Sequence, residues 1–193
     1  QVVRTINVTV PTKLPFQVVT NLMPDENGNI ENNGFVSGVL KLKNNNTSPV
    51  KVSVASFGKK AGSGELEIVN PDDYNWNELS YEDSMKKMAL GLYIKDNSLT
   101  ESEYNTENPL WLSTNKQNSD TANPDSSGES QEPSSRIGEN EDSNGDKVNE
   151  INTKIGILRA KKTGSDTPAE ASIGFTSKHG KNFIGGSVTG KFE

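Results

Sequence analysis

The 193-residue chain contains no cysteine and only one histidine, His179. Without cysteine it can form no disulfide, thiol nucleophile, thiolate zinc site or iron–sulfur cluster. Any catalytic triad or histidine-based metal site would have to include His179, which lies in TSKHGKN, a segment typical of a solvated hairpin. The G-x-S-x-G, H-E-x-x-H and P-loop motifs are also missing. We therefore expect that the protein is not an enzyme.

Long apolar runs and a surplus of basic charge are missing too. Hydrophobic residues make up 30% of the chain, and the mean hydropathy is −0.72. No apolar run approaches the ~20 residues of a membrane-spanning helix. Residues 113–150 hold nine acidic and three basic residues, so this segment accounts for the whole net charge of −6. The remaining chain has no basic surplus for phosphate backbones, and we expect neither nucleic acid binding nor a membrane span.

The acidic segment 113–150 is also poor in apolar side chains. Such a composition cannot offset a backbone ordering entropy of about 1–2 kcal/mol per residue. Strands are predicted on both sides of it, which indicates an insertion in one domain rather than a linker between two. We therefore predict a single β-sandwich domain over residues 1–193, with residues 113–150 as a polar acidic loop insertion.

Period-two alternation of apolar and polar residues, interrupted by Gly, Asn, Pro and Asp, is the dominant pattern along the chain. It predicts short strands at residues 14–20, 35–43, 50–57, 65–70, 88–95, 109–113, 151–160, 169–178 and 183–193, in addition to the opening strand. Only residues 71–87 resemble a helix, with one or two turns after Pro71.

Many strands with almost no helix predict an all-β fold, a two-layer antiparallel β-sandwich of Ig-like or jelly-roll-like shape. A closed barrel is the second choice. The run SGVLKLKNNNTSPVKVSVASF predicts a hairpin whose second strand turns Val50, Val52 and Val54 inward. We expect Trp76 and Trp111 to pack within the fold rather than to bind a ligand.

Two stretches resemble calcium-binding loops. Asp142, Asn144, Asp146 and Glu150 occupy positions one, three, five and nine of an EF-type pattern. A second set, Asp25, Asn27, Asn29 and Glu31, occupies positions one, three, five and seven. Both lack the Gly at position six and the Glu at position twelve, so the same letters also fit a solvated turn. Calcium is the one metal considered, and no other cofactor is expected.

The opening segment, QVVRTINVTV, predicts a strand over residues 1–10 with Ile6, Val8 and Val10 on one face. An extended segment of this kind can fill an exposed sheet edge, either in its own domain or in a neighbouring subunit. Pro11 and Pro15 would hold the following chain extended, which allows the strand to project away from its domain. We name Ile6, Val8 and Val10 as the residues of a candidate subunit interface.

Parts of the sequence resemble known families. The run SGVLKLKNNNTSPVKVSVASF is similar to a hairpin of exported Gram-positive β-sandwich proteins, and VTVPTKLPF resembles the opening of cell-wall proteins with WxL-type domains. The overall plan resembles camelysin-like and biofilm matrix fibre proteins, which begin a β-sandwich directly after the signal peptide. The WxL pattern itself is missing, since Trp111 is followed by Leu112 and Ser113, and no LPxTG-like end is present. No functional residues are carried over.

The resemblance and a first residue that is Gln rather than Met predict a secreted or cell-surface protein processed just before Gln1. The first hypothesis is a non-enzymatic structural protein, a subunit of a surface or matrix fibre. Copies of the chain would join head to tail by donating the N-terminal strand. The alternative is a monomeric extracellular binding module, an adhesin for carbohydrate or a host ligand.

Overall fold

The computed structural model of the chain describes residues 7–10, 15–18, 34–59, 64–96, 98–113, 139–141 and 147–180. These residues confirm the predicted all-β class, since they form eleven strands, one short helix and one 3-10 turn. The strands are β1 Val8–Thr9, β2 Phe16–Val18, β3 Phe35–Ser37, β4 Leu40–Asn44, β5 Val50–Lys59, β6 Glu67–Ile68, β7 Lys87–Lys95, β8 Leu110–Leu112, β9 Glu139–Glu141, β10 Lys147–Leu158 and β11 Ala169–His179. The helix is α1 Tyr81–Lys86, and the 3-10 turn is Pro71–Asp73.

The strands form two main sheets. The first sheet has the order β1-β4-β11-β7, and both β6 and β8 pair with the remaining edge of β7. Its pairings are antiparallel, except that β6 runs parallel to β7. The second sheet has the order β5-β10-β9, and β2 and β3 form a separate antiparallel pair.

The core lies between the two main sheets. Alternation along β7 turns Met88, Leu90, Leu92 and Ile94 to the inside, where all four side chains are buried. From the second sheet, the buried residues Phe57, Ile155 and Leu158 belong to the same two apolar clusters, with Val52 and Val54 packed against them. Burying each aliphatic side chain contributes roughly 1.5–3 kcal/mol, so this interface is the main stabilising contact of the sandwich.

The predicted hairpin between residues 35–43 and 50–57 is wrong. β4 belongs to the first sheet and β5 to the second, so residues 45–49 cross from one layer to the other. The cause is Asn44, which is fully buried and donates from its side-chain amide to the carbonyl oxygens of Ser48 and Arg159, each at 2.9 Å. These bonds turn the chain into an arch. The inward direction predicted for the valines of β5 is confirmed for Val52 and Val54.

Residues 35–43 also do not form one strand. β3 pairs with β2, and β4 pairs with β1 and β11, with Gly38 and Val39 between them. Val36 is 55% exposed, so it does not share the buried face of Leu42. The chain changes partner at Gly38, whose N–H donates to the carbonyl oxygen of Pro15 at 3.3 Å.

Part of the segment 113–150 is β-structure rather than loop. β9 pairs with the start of β10, with Glu141 opposite Lys147 and Glu139 opposite Asn149. The physical reason is β10, which pairs along its length with β5 and offers its other edge to a short polar strand. Residues 114–138 and 142–146 of the segment lie outside the described residues.

The helical prediction is confirmed in kind but shifted along the chain. Pro71 starts only the 3-10 turn, for which the Asn70 side chain accepts a hydrogen bond from the Asp72 N–H. The helix begins ten residues later at Tyr81, because the Ser80 hydroxyl accepts from the Asp83 N–H at 3.1 Å and caps it. Within the described ranges, no helix is long and apolar enough to cross a membrane.

Candidate subunit interface at the β1 edge

β1 occupies one outer edge of the first sheet. It pairs antiparallel with β4 of the same chain, with Val8 opposite Asn44 and Thr9 opposite Lys43. Of the predicted interface residues, Val8 is 40% exposed and Val10 is 59% exposed, while Ile6 lies outside the described residues. The two valines therefore bury little apolar surface, and β1 is held in place mainly by other contacts.

Three asparagines, which we call the asparagine clasp, provide those contacts: Asn7, Asn45 and Asn46. The Asn7 N–H donates to Asn46 Oδ1 at 3.0 Å, and the Asn7 carbonyl oxygen accepts from the Asn45 N–H at 3.1 Å. The Asn46 side-chain amide donates to the same carbonyl oxygen at 3.2 Å. The Asn45 side-chain amide donates to Asn7 Oδ1, also at 3.2 Å. Bonds to both the backbone and the side chain of one residue fix the register of β1 on β4.

The clasp is positioned from the core by Asn44. Its Oδ1 accepts from the N–H and the side-chain amide of Asn46, at 2.9 and 2.7 Å. The Asn46 carbonyl oxygen in turn accepts from the Lys161 N–H at 2.7 Å. Asn44 is fully buried and hydrogen-bonded to the backbone of two loops. The conformation of the β4 side of the clasp, Asn45 and Asn46, therefore does not depend on β1.

An ion pair lies directly beside the β1 edge. Lys43, the partner of Thr9 in the register, has its Nζ 2.8 Å from Glu170 Oε1 on β11. The hydrogen bond from Lys43 and the nearby charges of Lys43 and Lys41 lower the pKa of the Glu170 carboxyl. Both side chains are 42% exposed, so the ion pair contributes little to the free energy of unfolding. Its effect is to place one positive and one negative charge beside β1.

The predicted calcium ligands fall almost wholly outside the described residues. This holds for Asp142, Asn144, Asp146 and the second set at positions 25–31. Glu150 lies in β10 with its backbone opposite Ser56. Among the residues that are described, no three His, Asp or Glu side chains come together as a metal site. Calcium binding at Asp142–Glu150 remains a prediction.

The prediction of a solvated hairpin at His179 is wrong. β11 extends to His179, which pairs with Met88 and is 8% exposed. Burial lowers the pKa of the imidazole, and a hydrogen bond with the Gly180 backbone acts in the opposite direction. Nearby, Gly180 packs so closely on Ser84 that a Cβ at this glycine would lie 2.7 Å from the Ser84 Oγ. No local signal indicates this burial, because the alternating apolar residues of β11 end at Phe175 and the next inward position, Ser177, is polar.

Trp76 packs as predicted. Its indole N–H donates to the Pro71 carbonyl oxygen at 2.8 Å, and its ring contacts Tyr74 with centroids 5.9 Å apart. Trp111 is half-buried like Trp76, and it packs on the first sheet, where a Cβ at Gly91 would lie 3.0 Å from its Cζ3.

None of the family models, curated proteins or solved structures compared with the chain matches it.

Proposed function

We propose that the protein is a non-enzymatic extracellular structural protein, a subunit of a surface or matrix fibre assembled by N-terminal strand donation. The observation that supports this is the way β1 is held. Its contacts are backbone pairing with β4 and the asparagine clasp, and a second copy of residues 1–10 offers the same groups in the same order.

Exchange of an identical segment costs little, because β1 would make the same hydrogen bonds in a neighbouring subunit as it makes in its own. Whether β1 pairs with its own β4 or with that of a neighbour then depends on the connection at residues 11–14, which begins with Pro11. Proline restricts its own φ and disfavours the helical region for the residue before it, so the sequence favours a connection that reaches to a neighbour over one that returns tightly. The exposed valines Val8 and Val10 favour exchange further, since leaving the home edge removes little buried apolar area.

A donated β1 produces a fibre when each copy donates to the next, and a closed dimer when two copies exchange strands with each other. The donated segment and the β4 edge are different surfaces, so each copy presents one donor and one acceptor. Such a head-to-tail contact propagates unless its rotation closes a ring. It would also cover the hydrogen-bonding edge of β4, which a departing β1 would leave open. The extracellular location rests on the resemblance of SGVLKLKNNNTSPVKVSVASF to exported β-sandwich proteins.

Engineered cysteines test the proposal directly, because the natural chain has none. Thr9 and Lys43 are register partners, and directly opposed strand residues are close enough for a disulfide. In the double variant Thr9→Cys, Lys43→Cys, oxidation should give a ladder of linked chains on a non-reducing gel. The matched control is Thr9→Cys, Lys41→Cys, in which the second cysteine lies on the same face but two residues out of register.

Negative-stain microscopy of the natural chain and of a chain that starts at Thr12 completes the test. We expect filaments from the first, and from the second a folded monomer whose assembly is restored or capped by the peptide QVVRTINVTV. The proposal fails if the cysteine pair links only within single chains and the natural chain is a uniform monomer. That outcome favours the monomeric binding module instead.

A further inference from the structure

The first sheet has an outer face, directed away from the core, with a distinct chemistry. It is built from the odd-numbered residues of β7 and the even-numbered residues of β11, whose register partners are known. Lys41, Ser172 and Lys95 form one row across β4, β11 and β7. The next rows along the strands hold Tyr93 opposite Gly174, then Trp111 opposite Gly91, and then Lys178 opposite Ala89.

Two aromatic rings lie across neighbouring strands at the middle of this face. A Cβ at Gly174 would lie 2.9 Å from Tyr93 Cε1, and a Cβ at Gly91 would lie 3.0 Å from Trp111 Cζ3. Only glycine allows rings to approach the backbone this closely. Tyr93 and Trp111 are both half-buried, so each ring has one side against the sheet and part of its surface open to solvent.

Lysines flank the two rings. Lys41, Lys95 and Lys178 are exposed and form no ion pair with any described residue, and the Lys178 Nζ lies 5.2 Å from the centroid of the Trp111 ring. The other lysines of this face are neutralised, Lys43 by Glu170 and Lys87 by Asp83. In the part of the face that the structure describes, Lys95 and Lys178 are therefore the uncompensated cations, whereas Lys41 interacts electrostatically with the Glu170 carboxylate.

We propose that this outer face binds an anionic polysaccharide. Parallel to β7, successive rows hold Lys95 and Tyr93 of β7, then Trp111 of β8, then Lys178 of β11. These four rows span about 20 Å, since alternate strand residues are about 6.8 Å apart. The apolar C–H face of a pyranose can stack on the Tyr93 ring, whose face carries negative charge density. Trp111 lies next to it and holds the Lys178 Nζ over its own ring. Carboxylate groups on the glycan would pair with Lys95 and Lys178, and Thr176, the register partner of Gly91, lies in a row between them.

Charge density favours a glycan over a nucleic acid. One strand of B-DNA carries about six phosphates in the ~20 Å over which this face offers Lys95 and Lys178 as uncompensated cations. A polysaccharide with a charge on only some of its sugars matches these separated cations. The inference is independent of the fibre, because the outer face is the same in a monomer and in a polymer.

Binding can be measured by calorimetry with two acidic probes that carry a charge on every second sugar: a hexasaccharide of alternating glucuronate and N-acetylglucosamine, and a galacturonate hexamer in which every second carboxylate is methyl-esterified. A neutral galactan hexamer and a single-stranded oligonucleotide of equal length are the comparisons. We expect at least one acidic glycan to bind, with affinity that falls as salt increases. Lys95→Gln with Lys178→Gln should weaken binding about tenfold. Lys51→Gln, an exposed lysine on the second sheet, should leave it unchanged.

Two further variants separate the rings from the charge. Trp111→Ala should reduce the affinity at least tenfold, and Gly174→Ala should reduce it by displacing the Tyr93 ring without removing it. The double lysine variant is on the surface and reports on binding even if the ring variants fold poorly. The proposal is overturned if neither acidic probe binds, if the neutral glycan binds equally well, or if the oligonucleotide binds more tightly.

Discussion

Asn44 is the residue on which the arch and the asparagine clasp both depend. It makes four hydrogen bonds through its side chain while fully buried. Asn44→Ala would leave the carbonyls of Ser48 and Arg159 without these donors, and we expect a loss of about 2–4 kcal/mol in the free energy of unfolding. Urea denaturation measures it. Asn45→Ala, at a partly exposed position, should cost less than about 1 kcal/mol. Equal losses in the two variants would contradict the role given to Asn44.

Asn152 has a backbone conformation that most residues avoid. Its φ is 47°, in the left-handed region, at a place where the register between β10 and β5 shifts by a bulge. Asparagine tolerates this region and glycine occupies it freely, whereas alanine is strained there. We expect Asn152→Ala to lower the free energy of unfolding by about 1 kcal/mol and Asn152→Gly to change it by less than half of that. Thermal melting of both variants provides the comparison, and a more stable alanine variant would contradict the assignment.

At the scale of elements, strands with a strict alternating pattern were predictable and strand partners were not. The buried faces of β7 and β11 follow directly from MALGLYIK and AEASIGFTSK, because their alternate apolar residues face the core. Residues 35–57 contain equally clear alternation but go to different sheets. What decides their partners is the buried Asn44 and its bond to Arg159, 115 residues away, which local sequence cannot reveal.

The same distinction applies to the candidate interface. Alternation in QVVRTINVTV predicts the strand at the edge, but not its partner or its register. NNNTSP predicts only a turn, although its asparagines hold Asn7 from 38 and 39 residues away. A run of asparagines offers both donors and acceptors, and this is the only sequence signal that could have indicated the clasp.

The insertion between β8 and β9 can be tested by deletion. Replacing residues 114–138 with a flexible Gly-Ser linker of about ten residues keeps β9 and should preserve one cooperative unfolding transition, because loop entropy changes slowly with length. Circular dichroism melting is the measurement. Extending the deletion to residue 146 also removes β9 and exposes the edge of β10, so we expect more aggregation from that variant. Loss of cooperativity in the shorter deletion would mean that residues 114–138 contribute to the fold.

For the molecule as a whole, His179 links stability to pH. Burial lowers its pKa below the ordinary 6.5, so between these values the unfolded chain binds a proton that the folded chain does not. Stability is therefore full above about pH 6.5 and falls as the pH decreases toward the folded-state pKa, by at most about 1.4 kcal/mol per pH unit. His179→Gln should flatten the dependence of the melting temperature on pH between about pH 7 and pH 5.

The carboxylates act in a separate pH window and provide the control. Hydrogen bonds from lysines lower the pKa of Asp83 and Glu170 below their ordinary values of 3.8 and 4.5. Their contributions are present above those values and are lost only as the pH falls further. Glu170→Gln should therefore leave the melting profile between about pH 7 and pH 5 as it is. An unchanged slope in the His179→Gln variant would show that another group is responsible.

Because β11 lies between β4 and β7, the first sheet can form only after β11 has been synthesised. β11 joins β4 to β7, yet Ala169 pairs with Asn44, which the ribosome adds 125 residues earlier. At about 5–20 residues per second, β4 waits roughly 6–25 s for its inner neighbour. During this time β4 and β7 cannot join into one sheet, so the first sheet stays incomplete until β11 is made. Folding must then close long-range pairings, which makes the sheet slow to form and exposes its edges to passing chains.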